Sequence, residues 1–175
     1  MGIFVFFVFS VILSVSMAVV HLNARRLSGN DWDALVARLQ PVPFEGLEKV
    51  ALDHLQPQGS QLLIQPEELW QLVGGFDGLK RMRQNADLII ELAAHVRRWN
   101  FDEAIVVAER IRQDTVMLKR ALFRIQIQMF FSTRRLHVPF YVHQAASAYY
   151  LMTRRVLALY EMNQFVLYPR LAEVL

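Results

Sequence analysis

The apolar residues after Phe76 restrict the fold most, because they recur at alternating spacings of three and four residues. Side chains at this spacing share one face of a helix, so each repeat predicts a helix with one apolar stripe. No glycine follows Gly78, which favours long helices because glycine costs about 1 kcal/mol in a helix interior. The three stripes are Leu79, Met82, Ala86, Ile89, Ala93, Val96; Ala108, Ile111, Thr115, Leu118, Leu122, Ile125, Met129; and Val142, Ala145, Tyr149, Met152, Val156, Leu159.

We predict that residues 76–175 form three long helices in an up-down-up antiparallel bundle. The second helix is expected to end near Phe131, and Pro139 predicts the start of the third. Further apolar residues widen the stripes, so a three-helix bundle alone does not cover them. Either residues 28–75 or a partner protein must do so. The further apolar residues that widen the stripes are Leu88, Ile90, Leu92, Phe123, Ile127, Phe130 and Phe131.

Residues 23–75 are predicted to be a connector of short helices. The prolines Pro41, Pro43 and Pro57 bound one of them, and Pro66 stands at the first position of another. Gly74 and Gly75 are typical of a helix stop. The connector is therefore expected to fold against the bundle.

The stretch from Gly2 to Val20 has no charged residue, and a helix of this length spans roughly 28 Å, close to the ~30 Å core of a bilayer. A cleaved signal peptide is the alternative, but no Lys or Arg precedes the apolar run, and the best cleavage candidate, Ser16-Met17-Ala18, lies inside it. We predict a transmembrane anchor at residues 1–22. Because Arg25 and Arg26 follow it, the C-terminal part is expected in the cytoplasm, with the N-terminus outside.

Charge divides the remaining chain into two parts. Residues 28–114 have nine basic and fourteen acidic side chains, whereas residues 115–160 have seven basic and none acidic. The second part predicts contact with an anionic partner: acidic surfaces of a membrane assembly, or anionic lipid headgroups. A solvated face is the third interpretation. Nucleic acid is not expected, because the net charge is only +3. The predicted contact residues are Arg120, Arg124, Phe130, Phe131, Arg134, Arg135, Phe140, Tyr141, Arg154 and Arg155.

One group of side chains has the spacing of metal ligands. Asp87, Glu91 and His95 recur every four residues and so line one helical face. They point away from the apolar stripe, which favours a solvated, ion-paired face. His137 and His143 flank Pro139, where a surface histidine is the more common role.

Short catalytic motifs are missing from the sequence. There is no cysteine, no G-x-S-x-G, no H-E-x-x-H and no glycine-rich phosphate loop. We therefore expect no catalytic residue and no cofactor.

These observations together predict an all-α protein with one N-terminal transmembrane helix. The expected function is that of a non-catalytic accessory or scaffold subunit that stabilises a larger membrane complex, for which respiratory and photosynthetic assemblies are candidate settings. The alternative is a metal- or cofactor-binding helical-bundle enzyme attached to the membrane.

Overall fold

The computed structural model describes residues 32–57, 62–96, 102–131, 138–163 and 166–175. Within these ranges the chain forms helices joined by turns and short irregular segments, and it contains no strand. The helices are α1 (Trp32–Val36), α2 (Phe44–Leu55), α3 (Pro66–Leu72), α4 (Gly75–Val96), α5 (Asp102–Phe131), α6 (Val138–Asn163) and α7 (Tyr168–Ala172).

The three long helices, α4, α5 and α6, form a helical bundle, as the stripes predicted. Every residue of the first and third stripes is buried, and so are the central residues of the second, from Ile111 to Ile125. Helix α6 lies at the centre, because it packs against α5, α4 and α2.

Pairs of side chains give the helix directions. Asn85 of α4 donates a hydrogen bond to the Tyr149 hydroxyl of α6. Seven residues further along α4, the Leu92 carbonyl accepts one from the Tyr160 hydroxyl, so these two helices run in the same direction. Arg124 of α5 lies over the Tyr141 ring near the start of α6, so α5 runs in the opposite direction.

The connector helices cover two of the three long helices. Helix α1 packs on α4, and α2 packs along α6. Leu88 and Leu92 are accordingly buried, whereas Phe123, Ile127 and Phe130 of α5 are exposed. The connector therefore covers apolar residues of α4 and α6, as predicted, but it does not cover the outer face of α5.

Buried polar groups fix the connector on the bundle. The Asn85 side chain accepts a hydrogen bond from the Gln40 backbone N–H (2.9 Å) and donates to the Gln40 carbonyl (2.8 Å). At the other end of α1, Trp32 Nε1 donates to the Tyr160 hydroxyl (3.1 Å). Because a buried amide or hydroxyl without a partner is costly, these bonds select one position for the connector.

Two glycine sites explain how the short helices end and approach one another. Gly74 and Gly75 have φ values of 73° and 63°, so the predicted stop after α3 is confirmed. Gly46 lies against the end of α3, where an added Cβ would be 2.4 Å from the Leu72 carbonyl oxygen. A side chain at residue 46 would therefore force α2 and α3 apart.

No helix in the described ranges is both long and apolar enough to cross a bilayer. The predicted anchor at residues 1–22 and the arginines at 25 and 26 lie outside the described residues.

Candidate interaction surface

Helix α5 has one buried and one exposed apolar face. Leu118, Leu122 and Ile125 belong to the core. On the opposite side, Val116, Phe123, Ile127 and Phe130 are exposed, with Phe123 at 60% and Phe130 at 87%. Their spacings of seven, four and three residues place them on one line along the helix. We call these four residues the α5 strip.

Some of the predicted contact residues lie together where α5 ends and α6 begins. The Arg124 guanidinium lies 5.3 Å from the Tyr141 ring centre. Phe140 contacts the rings of Tyr141 (5.7 Å) and His54 (5.6 Å) edge-on and remains 46% exposed. Arg120 is exposed on α5, one turn before Arg124. This end therefore combines exposed aromatic rings with basic groups.

Other predicted contact residues lie elsewhere. Arg154 and Arg155 follow Tyr141 by thirteen and fourteen residues on α6, roughly 20 Å along its axis. Arg155 forms an ion pair with the buried Asp114 of α5, so its charge serves helix packing. Phe131 ends α5, and the positions of Arg134 and Arg135 lie outside the described residues.

The candidate metal ligands Asp87, Glu91 and His95 lie on α4, where Asp87 forms an ion pair with α5. Asp87 Oδ1 lies 2.6 Å from Lys119 Nζ on α5. Glu91 and His95 are half-buried further along the helix. Among the described residues, no three His, Asp or Glu side chains are grouped to hold a metal ion.

Sequence reasoning missed a buried histidine–aspartate pair. The position of His143 beside Pro139 predicts a surface histidine, but its side chain is 1% exposed and its Nε2 lies 3.1 Å from Asp53 Oδ2. Its Nδ1 lies 2.9 Å from the Pro139 carbonyl oxygen and must donate to it, because a carbonyl only accepts. No local signal joins residues that are ninety positions apart in the chain.

The pair also fixes the chain before α3, since Asp53 accepts hydrogen bonds from the backbone N–H groups of Leu63 and Ile64. Burial alone would raise the pKa of Asp53. The hydrogen bonds from Leu63, Ile64 and His143 outweigh burial and lower that pKa below its ordinary value. Burial, together with the charge of His143, lowers the pKa of the neighbouring His54. The cluster is well placed to hold α2, α3 and α6 together.

Comparisons with protein-family models, with curated proteins and with solved structures gave no match. Over the described ranges, the fold is a helical bundle with an exposed apolar face on α5.

Proposed function

We propose that this protein is a non-catalytic, membrane-anchored accessory or scaffold subunit of a larger membrane complex, with respiratory and photosynthetic assemblies as candidate settings. The observation that supports it is the α5 strip. The connector buries the equivalent apolar residues of α4 and α6 and leaves those of α5 in contact with water. Exposed apolar side chains in one continuous line are typical of a surface that another protein covers.

The proposed anchor is the uncharged stretch from Gly2 to Val20, with the bundle in the cytoplasm. The enzyme alternative receives less support, because Asp87 is occupied by Lys119 and the buried His143 by Asp53 and Pro139.

Co-purification from native membranes tests the subunit role. The full chain with a C-terminal tag, extracted in mild detergent, is expected to retain a partner in fixed stoichiometry. Phe123→Glu with Ile127→Glu should remove that partner without changing the melting temperature, since both side chains are exposed. The matched control is Met162→Glu, which changes an equally exposed apolar residue away from α5. Recovery of the wild-type chain alone as a monomer would refute the role.

A reporter fusion tests the orientation. Alkaline phosphatase joined after Leu175 is expected to be inactive, because the basic residues Arg25 and Arg26 retain the C-terminal side in the cytoplasm. A matched variant changes both arginines to serine and introduces Ile3→Arg and Phe4→Arg. This variant should gain phosphatase activity. High activity of the unchanged chain would contradict the orientation.

A further inference from the structure

A groove lies between the start of α4 and the end of α5. Its volume is about 110 Å³, well below the ~300 Å³ lower limit of common small-molecule pockets. It has room for one or two inserted side chains. Its walls include Phe76, Leu79, Lys80 and Arg83 of α4 and Leu122 and Gln126 of α5.

The groove is continuous with the α5 strip. Phe123 and Phe130 lie three and four residues from Gln126, so all three are neighbours on one side of α5. From Val116 to Phe130 the strip extends over fourteen residues, roughly 21 Å. This length fits a helix of about four turns lying along α5 and placing apolar side chains in the groove.

Charges around the groove are positive. Lys80, Arg83 and Arg120 are exposed and form no ion pair within the described ranges. Helix α5 has no acidic residue after Asp114. On α4, Asp87 is paired with Lys119. Asp77 lies about 100° around the helix from Phe76, beside Gln40, Lys80 and Arg81.

We propose that the α4–α5 groove and the α5 strip bind an amphipathic helix of a partner subunit, with an apolar face flanked by aspartate or glutamate. This inference rests on the proposed function, because it assumes that a partner subunit exists. Lys80 and Arg83 contact the acidic flank on one side of the bound helix, and Arg120 on the other. The apolar face covers Phe76, Phe123 and Phe130.

A helix fits this surface better than a flat membrane does. Leu79 and Leu122 at the base of the groove are only 4% and 6% exposed, so a planar surface does not reach them. The groove is also far from Trp32, the first described residue. Phe76 precedes Leu92 by sixteen residues, roughly 24 Å along α4, and Leu92 contacts Tyr160, the partner of Trp32.

The probe is a designed, fluorescently labelled peptide of about four helical turns, with leucines on one face and glutamates beside them. Its control has the same leucines with lysines in place of the glutamates. We expect the full chain in detergent to bind the glutamate peptide at least about tenfold more tightly in dilute salt. The preference should disappear at about 1 M salt, where the screening length is about 3 Å.

Variants of the protein locate the binding site. Arg83→Glu with Arg120→Glu should reverse the preference toward the lysine peptide, and Phe123→Ser should weaken binding of both peptides. Arg154→Glu, an exposed arginine on α6, is the matched control and should change neither. Equal binding of the two peptides, or a preference that survives the double charge reversal, would overturn the inference.

Two further measurements separate other occupants of the surface. Binding to phosphatidylcholine vesicles containing phosphatidylglycerol, combined with no peptide preference, would assign the surface to lipid and overturn the inference. Dimerisation of the full chain that Phe123→Ser abolishes would assign it to a second copy, with the same consequence. If Phe123→Glu removes the native partner while the peptides are not distinguished, the proposed function stands and only the acidic-helix inference fails.

Discussion

At the scale of single residues, the pair formed by Asp53 and His143 joins connector helix α2 to α6. Both side chains are buried. His143 contacts Asp53 and the Pro139 carbonyl of its own helix, and Asp53 also accepts from the Leu63 backbone N–H. The loss of one partner leaves the other as a buried charge without compensation, which is far more costly than the loss of an exposed ion pair.

His143→Ala is expected to lower the free energy of unfolding by about 3 kcal/mol. The measurement is denaturant unfolding of the detergent-solubilised chain, repeated for Asp53→Asn and for the double variant. Because the two side chains contact each other, the double variant should lose less than the sum of the single losses. Additive losses would mean that the two residues act independently.

Acid should destabilise the protein through His54 and Asp53. Folding lowers the pKa of both groups, so the unfolded chain binds more protons than the folded chain. The free energy of unfolding therefore decreases as the pH is lowered. The contribution of His54 is present above its ordinary pKa of 6.5 and is lost as the pH falls through its lowered pKa. That of Asp53 is lost below its ordinary pKa of 3.8. The melting temperature should therefore fall between about pH 7.5 and pH 5, and less so in His54→Gln. An unchanged slope in that variant would exclude His54 as the cause.

At the scale of helices, α5 differs from α4 and α6 in that the apolar side chains on its outer side are exposed. Helix α5 is apolar both on its buried face and along the exposed α5 strip, so the sequence alone predicts a helix buried on two sides. The connector packs on α4 and α6 instead, where Asn85 and Tyr160 present hydrogen-bonding groups to it. The exposed face of α5 thus follows from where the polar partners of the connector are located.

The close approach of α2 and α3 gives a prediction for this scale. Gly46→Ala should lower the free energy of unfolding by about 1–3 kcal/mol, since its Cβ would overlap the Leu72 carbonyl oxygen. The neighbouring exposed change Glu45→Ala should stay within about 0.5 kcal/mol. Thermal unfolding of both variants is the measurement. Equal stability of the two would show that the helices separate without cost.

For the whole molecule, the ends of the bundle have different roles. Trp32 packs against Tyr160 and lies beneath the Arg170 guanidinium of α7, 5.2 Å from the Trp32 ring centre. The described chain therefore begins at this end, while the groove lies toward the other.

Tyr160→Phe tests the contact at the Trp32 end. It removes the hydroxyl that accepts from Trp32 Nε1 and donates to the Leu92 carbonyl, so a loss of about 1–3 kcal/mol in the free energy of unfolding is expected. Amide hydrogen exchange in α1 should become faster. Tyr168→Phe on α7 serves as the control and should leave this exchange unchanged. Unaltered exchange in the Tyr160 variant would mean that α1 is held by apolar contacts alone.

The sequence by itself determined the helices, their buried faces and the stop at Gly74 and Gly75, because periodicity, proline and glycine act over a few residues. It also located the basic and aromatic end formed by Arg124, Phe140 and Tyr141. Only the tertiary structure decided which helix face stays uncovered, that Arg155 pairs with Asp114, and that His143 is buried against Asp53. These outcomes depend on contacts between residues far apart in the chain, and no local pattern records which distant group will satisfy a charge or hydrogen bond.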